Sequence, residues 1–245
     1  MCTLILMRNA FPDHPLVVAS NRDEDGARPS AEPTNWSDHP EIYAPRDLVL
    51  SGTWIGVNRF GVFAALTNRD DAPQIRGEGS RGRLVSGALA TRSARDARLF
   101  IEQAFTRSTY NGFHLAVADA TDALLLIGNG DELIVRDIPA GCTPLTAYGT
   151  TPGHAPRATE IERRARALMM RADASPEGLD SLLNFHADHS PRAAACVHDP
   201  NESHKTISSM VVRVDSDWSA FETWHRTGPA CSGPLTGHHF TPITR

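Results

Sequence analysis

The sequence predicts a layered α+β fold built as a single domain over residues 1–245. Short apolar runs typical of strands alternate with amphipathic runs typical of helices, in the order strands, helices, strands, helices, strands. The connections have hairpin length, which favours antiparallel pairing over βαβ crossovers. The sequence shows no internal repeat and no low-complexity linker that would divide the chain.

Two hairpins are predicted near the start of the chain. Residues 2–7 and 16–20 are apolar, partly β-branched runs separated by a polar turn. Residues 53–58 and 62–68 form a second apolar pair around a tight turn. Between the hairpins, residues 23–48 contain four prolines and many charges, which predicts a long irregular loop over the surface or the mouth of a site.

The later segments alternate between helical and strand patterns. Ser93 is the predicted N-cap of a helix whose apolar residues recur at helical spacing as far as Phe105, and a shorter helix is expected just before it. A helix over residues 160–171 is followed by another that begins at Ser175, with Pro176 in its first turn. The remaining predicted strands cover residues 113–119, 124–129, 133–138, 206–214 and 218–226.

Composition excludes several classes of protein. The 245 residues hold 24 Lys plus Arg against 29 Asp plus Glu, and the net charge of −5 argues against a nucleic-acid partner. A chain of this length buries a core without disulfides or a structural metal. The apolar run near the N-terminus, residues 3–7, is too short for a signal peptide or a membrane span. With only four cysteines, the expected location is a reducing compartment, the cytoplasm.

Cys2 is the sharpest chemical feature of the sequence. Removal of Met1 would leave one residue that carries both a thiol and a free α-amine. These groups titrate near pH ~8.5 and ~8 in model peptides, so together they form a nucleophile with its own base. The alternative interpretation is a small buried residue at the start of a strand.

Charged and amide side chains lie at the strand ends that would accompany Cys2. The run Asn21, Arg22, Asp23 ends the strand predicted to pair with the one that starts at Cys2, so a guanidinium there would favour the thiolate. Asn68 ends the second hairpin, where an amide is a suitable oxyanion donor. A solvated charged turn and an ordinary turn asparagine are the alternatives.

Histidine and cysteine in the second half of the chain raise the alternative of a metal site. The residues involved are His186, His189, Cys196, His198 and His204. Their spacing matches no zinc signature, so a loop cluster of histidines without a metal is the favoured interpretation.

Several motifs resemble the NRDE family, the relatives of transport and Golgi organisation protein 2. The motifs are Met1-Cys2-Thr3-Leu4, Asn21-Arg22-Asp23-Glu24, Gly52-Thr53-Trp54-Ile55-Gly56, Leu66-Thr67-Asn68-Arg69 and Ser80-Arg81-Gly82. The family looks like a branch of the N-terminal nucleophile hydrolases. The hairpin over residues 56–68 is also similar to that of bile salt hydrolases and penicillin V acylases.

The resemblance implies a four-layer αββα sandwich with two antiparallel sheets. It also implies that Cys2 is the nucleophile and that Asn68 lies in the oxyanion hole. The acylases carry Arg-x-x-Asp where this chain has adjacent Arg22 and Asp23, which leaves open which of the two faces Cys2. The stretch 145–150, which matches a region where the acylases have an asparagine, holds none, so a second oxyanion donor would be a backbone amide.

The expected function is therefore hydrolysis or acyl transfer on a small-molecule amide, ester or thioester through a Cys2 acyl-enzyme. The other candidate site residues are Asn21, Arg22, Asp23 and Asn68. No cofactor is expected. The alternative that the resemblance implies is a non-catalytic carrier of haem or of lipid or acyl-CoA metabolites on the same fold. A zinc-dependent hydrolase built on the histidine cluster is the third hypothesis. The sequence leaves the oligomeric state open.

Overall fold

The computed structural model describes residues 2–70, 72, 78–147, 156–186, 193–197 and 204–244. Its elements, in chain order, are β1 (Thr3–Phe11), β2 (His14–Asp25), β3 (Ser30–Asn35), β4 (Ile42–Asp47), β5 (Ile55–Asn58), β6 (Phe63–Asn68), α1 (Arg81–Leu89), α2 (Ala94–Arg107), β7 (Tyr110–Ala118), β8 (Ala123–Gly130), β9 (Glu132–Asp137), β10 (Gly141–Thr146), α3 (Pro156–Met170), α4 (Pro176–Asp180), β11 (His204–Val214), β12 (Ala220–Thr227) and β13 (Thr236–Pro242).

The chain divides into two compact units, each with its own sheet and core. The first unit comprises Met1–Ala27, Pro139–Asp217 and Phe221–Phe240, and the second comprises Arg28–Ile138, Trp218–Ala220 and Thr241–Arg245. Compactness does not test whether a unit folds alone, so the single domain over residues 1–245 stays a prediction.

The first unit is built on a six-stranded sheet in the order β10-β1-β2-β11-β12-β13. The predicted first hairpin is present, with β1 antiparallel to β2. Helices α3 and α4 cover one face of this sheet, because α3 places Ile161, Ala165 and Leu168 on one apolar stripe. Pro176 opens α4 and the Ser175 hydroxyl accepts a hydrogen bond from the Gly178 N–H at 3.1 Å, as the sequence predicted.

The second unit is built on a seven-stranded sheet in the order β3-β4-β5-β6-β7-β8-β9. Helices α1 and α2 pack on this sheet through a shared apolar core. Ser93 is the N-cap of α2, and its hydroxyl accepts from the Asp96 N–H at 3.0 Å. The second predicted hairpin and the run of three strands β7, β8 and β9 are confirmed.

The predicted irregular loop over residues 23–48 is wrong. Most of this stretch belongs to the end of β2 and to the antiparallel pair β3 and β4. Pro29 and Pro40 lie outside the strands, and Pro33 lies on the edge strand β3, inside the register irregularity between Ala31 and Thr34. Pro45 lies on β4 opposite the same irregularity. Proline at an edge or an irregularity removes no ladder hydrogen bond.

Among the helices of the described residues, none has the length and apolar character needed to cross a membrane.

Asn58 provides a test of how the second unit is held together. Its buried amide donates to the Leu89 and Thr91 carbonyls at 2.6 and 2.8 Å, and its oxygen accepts from the Phe60 and Val62 N–H groups at 3.0 and 2.9 Å. We expect Asn58→Ala to lower the free energy of unfolding by roughly 3 kcal/mol, because buried backbone groups lose their partners. Urea denaturation measures the change. The control Asn35→Ala removes an exposed side chain and is expected to change stability by less than about 0.5 kcal/mol; equal effects of the two variants would contradict the prediction.

Candidate active site

The register of the first hairpin brings Cys2 to the end of β2. Thr3 pairs with Asn21, so one step further along the same antiparallel register Cys2 lies opposite Arg22. The Cys2 thiol donates a weak hydrogen bond to the Asp23 main-chain carbonyl, with Sγ 3.7 Å from the oxygen. The predicted proximity of Cys2 and the Asn-Arg-Asp run is therefore present in the fold.

Alternation along the strands separates Arg22 from Asp23. Ile5 on β1 and Ala19 on β2 belong to the core beneath α3 and α4, so Thr3, Asn21 and Asp23 face the same helix-covered side. Cys2 and Arg22, displaced by one residue, face the other side. The structure therefore resolves the alternative that the adjacent Arg22 and Asp23 left open, since Arg22 shares a face with Cys2.

Asp23 is a buried carboxyl held by two side chains. The Thr206 hydroxyl donates to its Oδ1 at 2.6 Å, and Arg157 Nη1 approaches its Oδ2 at 3.5 Å while donating to the Thr3 hydroxyl at 3.0 Å. Burial raises the pKa of Asp23 from 3.8 to about 6, against the opposing attraction of the Arg157 charge. Desolvation thus outweighs the ion pair, and Asp23 titrates close to neutrality.

The Asn21 side chain makes structural hydrogen bonds within the first unit. Its amide donates to the Leu183 and Ala195 carbonyls at 2.9 and 2.8 Å, and its oxygen accepts from the Ser209 hydroxyl at 2.8 Å. Ser209 in turn accepts from Arg226, whose guanidinium also binds the Asp180 carboxylate at 2.7 Å. Both amide hydrogens of Asn21 are used away from Cys2, so its geometry suits a positioning residue rather than a reacting one.

The groups around the Cys2 thiol have opposing effects on its pKa. Burial raises the pKa of the thiol above its ordinary value, and the Asp23 charge also raises it. The N-terminal charge, the hydrogen bond to the Asp23 carbonyl and, least of the three, the Arg22 charge lower it. Arg22 is 4% exposed, and its Nη2 lies 3.8 Å from the Glu24 carboxylate. The net effect is a raised thiol pKa, and Arg22 is one of the groups that oppose the rise.

Asn68 and Asn58 differ in how their amides are used. Asn58 makes four hydrogen bonds within the second unit and serves its turn. Asn68 ends β6 in the same unit, opposite Phe113 of β7, and its side-chain amide makes no hydrogen bond with the described part of the chain. Its role in an oxyanion hole stays a prediction. Of the stretch considered for a second oxyanion donor, residues 148–150 lie outside the described residues.

Arg157, Thr206 and Thr3 belong to the site, and sequence reasoning missed all three. Arg157 is 2% exposed although it lies in the first turn of α3, where a cation is unfavourable to the helix dipole. No sequence signal marked it, because the predicted helix began at residue 160 and the burial of Arg157 is visible only in the fold. Thr206 and Thr3 carry no signal either, because threonine is common in strands.

The fold brings together only some of the described histidines and cysteines that were considered as metal ligands. His186 and Cys196 come together with Cys231, which the sequence did not single out. His204 lies on β11, with its Nε2 3.7 Å from the Glu24 carboxylate. His189 and His198 lie outside the described residues.

Solved structures define the class of fold. The chain is similar to the Caenorhabditis elegans ortholog of N-acylethanolamine-hydrolyzing acid amidase, with a TM-score of 0.58 and 11% identity over 86% of this chain and 92% of that one. A variant of the conjugated bile acid hydrolase from Clostridium perfringens gives the same score and identity, covering 100% of this chain and 99% of that one. Penicillin V acylase from Agrobacterium tumefaciens gives 0.56 at 13% identity, covering 100% and 87%. The predicted α+β fold of N-terminal nucleophile hydrolase type, with two antiparallel sheets, is confirmed.

Sequence comparison identifies the family of the chain, which is a more specific assignment than the class of fold. The family model described as Transport and Golgi organisation 2 matches residues 1–228, so the chain belongs to that family, as the NRDE resemblance implied. The mouse homolog is 34% identical over 125 residues, which cover 48% of this chain and 45% of the relative. The human homolog is 34% identical over 126 residues, with the same coverage. The chain thus spans about half the length of the curated relatives it matches.

The raised pKa of Asp23 predicts a particular dependence of stability on pH. Between the unfolded pKa of 3.8 and the folded pKa of about 6 the folded chain binds more protons than the unfolded chain, so the contribution is present below pH 3.8 and is lost as pH rises through 6. We expect the free energy of unfolding of the wild type, minus that of Asp23→Asn, to fall by on the order of 3 kcal/mol from pH 4 to pH 7.5. Urea denaturation across this range measures the difference.

The matched control is Asp38→Asn. Arg46 lowers the pKa of this exposed carboxyl by donating a hydrogen bond to it, so the corresponding difference changes in the opposite direction and weakly. A wild-type advantage over Asp23→Asn that is constant or grows with pH would contradict the assignment of a proton to Asp23.

Proposed function

We propose that the chain is a cysteine-dependent amidohydrolase or acyltransferase that uses Cys2 as its nucleophile after removal of Met1. The observation that supports this most directly is the register of β1 against β2, which sets the buried Arg22 across from Cys2 on one face of the sheet. The fold, shared with enzymes named as amidases, hydrolases and acylases, is consistent with the proposal.

The proposed reaction begins with proton transfer within one residue. The Cys2 thiol gives its proton to its own α-amine, and Sγ attacks the carbonyl carbon of an amide, ester or thioester. The tetrahedral intermediate collapses when the leaving group takes the proton from the α-ammonium, which leaves a thioester on Cys2. Water or another acceptor then attacks the thioester, the α-amine accepts its proton, and the thiol is restored.

Arg22 and Asp23 have different parts in this scheme. Arg22, on the Cys2 face, stabilises the thiolate while the carbonyl is attacked. Asp23 is a positioning residue: its carboxyl, held by Arg157 and Thr206, fastens the end of β2 beside the start of β1. Its negative charge also favours a protonated amine on Cys2.

Asn68 keeps its role as an oxyanion donor on the strength of the family resemblance. An amide N–H aimed at the developing oxyanion is worth about 10²–10³ in rate where it has been removed from other acyl-transfer sites. Asn21 is assigned to the support of β2 rather than to the reaction, since both of its amide hydrogens are bound to carbonyls of the first unit.

A non-catalytic carrier is the second candidate function, and the raised pKa of the Cys2 thiol favours it. A protonated thiol is a poor nucleophile, so a buried one is compatible with a chain that binds haem or a lipid or acyl-CoA metabolite without turning it over. Haem titration tests the haem form of this candidate, because a haem carrier predicts a Soret shift in a chain that forms no acyl-enzyme.

The first test is the state of residue 2 and its reaction with an activated acyl donor. We expect the intact mass to lack Met1, and a p-nitrophenyl ester to add one acyl group at Cys2. Turnover of the ester should fall by at least about a thousandfold in Cys2→Ala, because a chain without its nucleophile retains only binding and electrostatic effects. Cys142→Ala is the matched control and should retain full activity. Retention of Met1, or an acyl adduct that persists in Cys2→Ala, would contradict the mechanism.

The second test concerns the cation beside the thiol. We expect Arg22→Gln to raise the pKa of the Cys2 thiol, and so to slow its alkylation by iodoacetamide at pH 7 by about tenfold per unit of pKa. The rate at Cys2 is followed by peptide mass spectrometry across pH. Arg22→Lys retains the charge and should recover most of the rate, and Arg98→Gln removes an exposed guanidinium of the second unit and should change nothing. An alkylation profile in Arg22→Gln that coincides with the wild type would overturn the role of Arg22.

A further inference from the structure

One imidazole and two thiols lie together in the first unit, apart from the Cys2 site. The ligand atoms of His186, Cys196 and Cys231 all lie within 4.8 Å of one another. The three residues come from separate segments: the stretch after α4, the stretch 193–197, and the connection between β12 and β13. Cys196 is buried, whereas His186 and Cys231 are exposed, so the cluster is open to solvent on one side.

Backbone hydrogen bonds hold these three segments in place. The N–H groups of Ala195 and Cys196 both donate to the Phe185 carbonyl, at 3.2 and 3.1 Å, which sets Cys196 beside His186. The Ser232 N–H and hydroxyl both donate to the Pro229 carbonyl, at 3.0 and 2.7 Å, and so shape the turn that presents Cys231. Backbone hydrogen bonds therefore position the segments that carry the three candidate ligands.

The chemistry of this donor set selects the class of ion. Thiolate and imidazole suit zinc and other borderline or soft cations, whereas magnesium and calcium prefer oxygen ligands. Two cysteines and one histidine match the ligand types of tetrahedral zinc sites, and three protein ligands leave one position for water.

We propose that His186, Cys196 and Cys231 bind one divalent cation of the zinc type, with water as the fourth ligand. The cation connects the stretch after α4, the stretch 193–197 and the turn before β13.

The bound cation would also restrain the stretch 193–197, which contacts the hairpin of β1 and β2. The residues on either side of Cys196 make two hydrogen bonds near that hairpin. The Ala195 carbonyl accepts from the Asn21 amide at 2.8 Å, and the Val197 N–H donates to the Thr206 hydroxyl at 2.8 Å. Thr206 is the residue that donates to Asp23. A ligand bond at Cys196 thus restrains the partners of both Asn21 and Asp23. The site is independent of whether Cys2 reacts.

The test uses the full chain, stripped with a chelator under reducing conditions and titrated with Co²⁺ as a spectroscopic probe and then with Zn²⁺. We expect one equivalent of Co²⁺ to give thiolate-to-cobalt charge-transfer absorption and the intense visible bands of four-coordinate cobalt, both displaced by Zn²⁺. Saturating Zn²⁺ should raise Tm by several degrees, because the ion binds the folded chain.

Variants locate the ion. His186→Gln, Cys196→Ser and Cys231→Ser should each weaken binding by at least about a hundredfold, since even outer-shell substitutions cost 10–100-fold at metal sites. Cys231 is exposed, so its serine variant keeps the fold, which far-ultraviolet circular dichroism verifies. Cys142→Ser and His39→Gln are the matched controls and should bind as the wild type does.

Three results would overturn the proposal. The first is cobalt binding without thiolate charge transfer, and the second is wild-type affinity in Cys231→Ser. The third is a reduced wild-type chain that takes up no Co²⁺ and shows no rise in Tm with Zn²⁺. In the third case, a Cys196–Cys231 disulfide that forms after addition of an oxidant identifies the pair as a redox couple instead of a metal site.

Discussion

The register of β1 against β2 is the constraint on which the candidate site depends. Side chains alternate across a strand, so a slip of one residue would exchange the faces of Arg22 and Asp23. The slip is prevented by the core beneath α3 and α4, where Ile5 and Val17 are fully buried and stand on the helix-covered face. Each such side chain contributes about 1.5–3 kcal/mol on burial. The hydrophobic core thus decides which charged residue accompanies Cys2.

Burial of charge is the second feature of this site. Arg157 and Asp23 are 2% and 3% exposed, and taking two charges out of water costs several kcal/mol per ion unless hydrogen bonds compensate. Thr3 and Thr206 supply those hydrogen bonds, yet desolvation still raises the pKa of Asp23 to about 6. Strongly perturbed carboxyls of this kind concentrate at functional sites, although structural ion pairs also produce them. The placement of Asp23 next to Cys2 favours a functional reason here.

Short connecting segments as well as helices link the parts of the first unit. The stretch 193–197 accepts from Asn21 and donates to Thr206, and it carries Cys196 between those two contacts. Asn21 is joined through Ser209 and Arg226 to Asp180 at the end of α4. The strand that presents Arg22 is therefore braced by polar contacts on its helix-covered face, whereas Arg22 and the neighbouring Cys2 lie on the opposite face of the sheet.

Local pattern determined much of the fold. The hairpin of β1 and β2, the capped helix α2 and the strands β7, β8 and β9 follow from apolar periodicity, a capping serine and turn residues, all of which act over a few neighbouring positions. The pair β3 and β4 was missed because proline opposes a strand locally, whereas an edge position or a register irregularity tolerates it. That tolerance depends on the neighbouring strands, which no local pattern encodes.

Within the candidate site, the proximity of Cys2 to the run from Asn21 to Asp23 could be predicted from the sequence, because a hairpin brings the ends of adjacent strands together. The folded chain was needed to show that Arg22 shares a face with Cys2, that Arg157 reaches Asp23 across 134 positions of the chain, and that Cys231 lies beside His186 and Cys196. The physical reason is that periodicity and turn chemistry act between near neighbours in sequence. Contacts between distant segments are instead selected by how buried faces pack, and that packing is a property of the whole sheet.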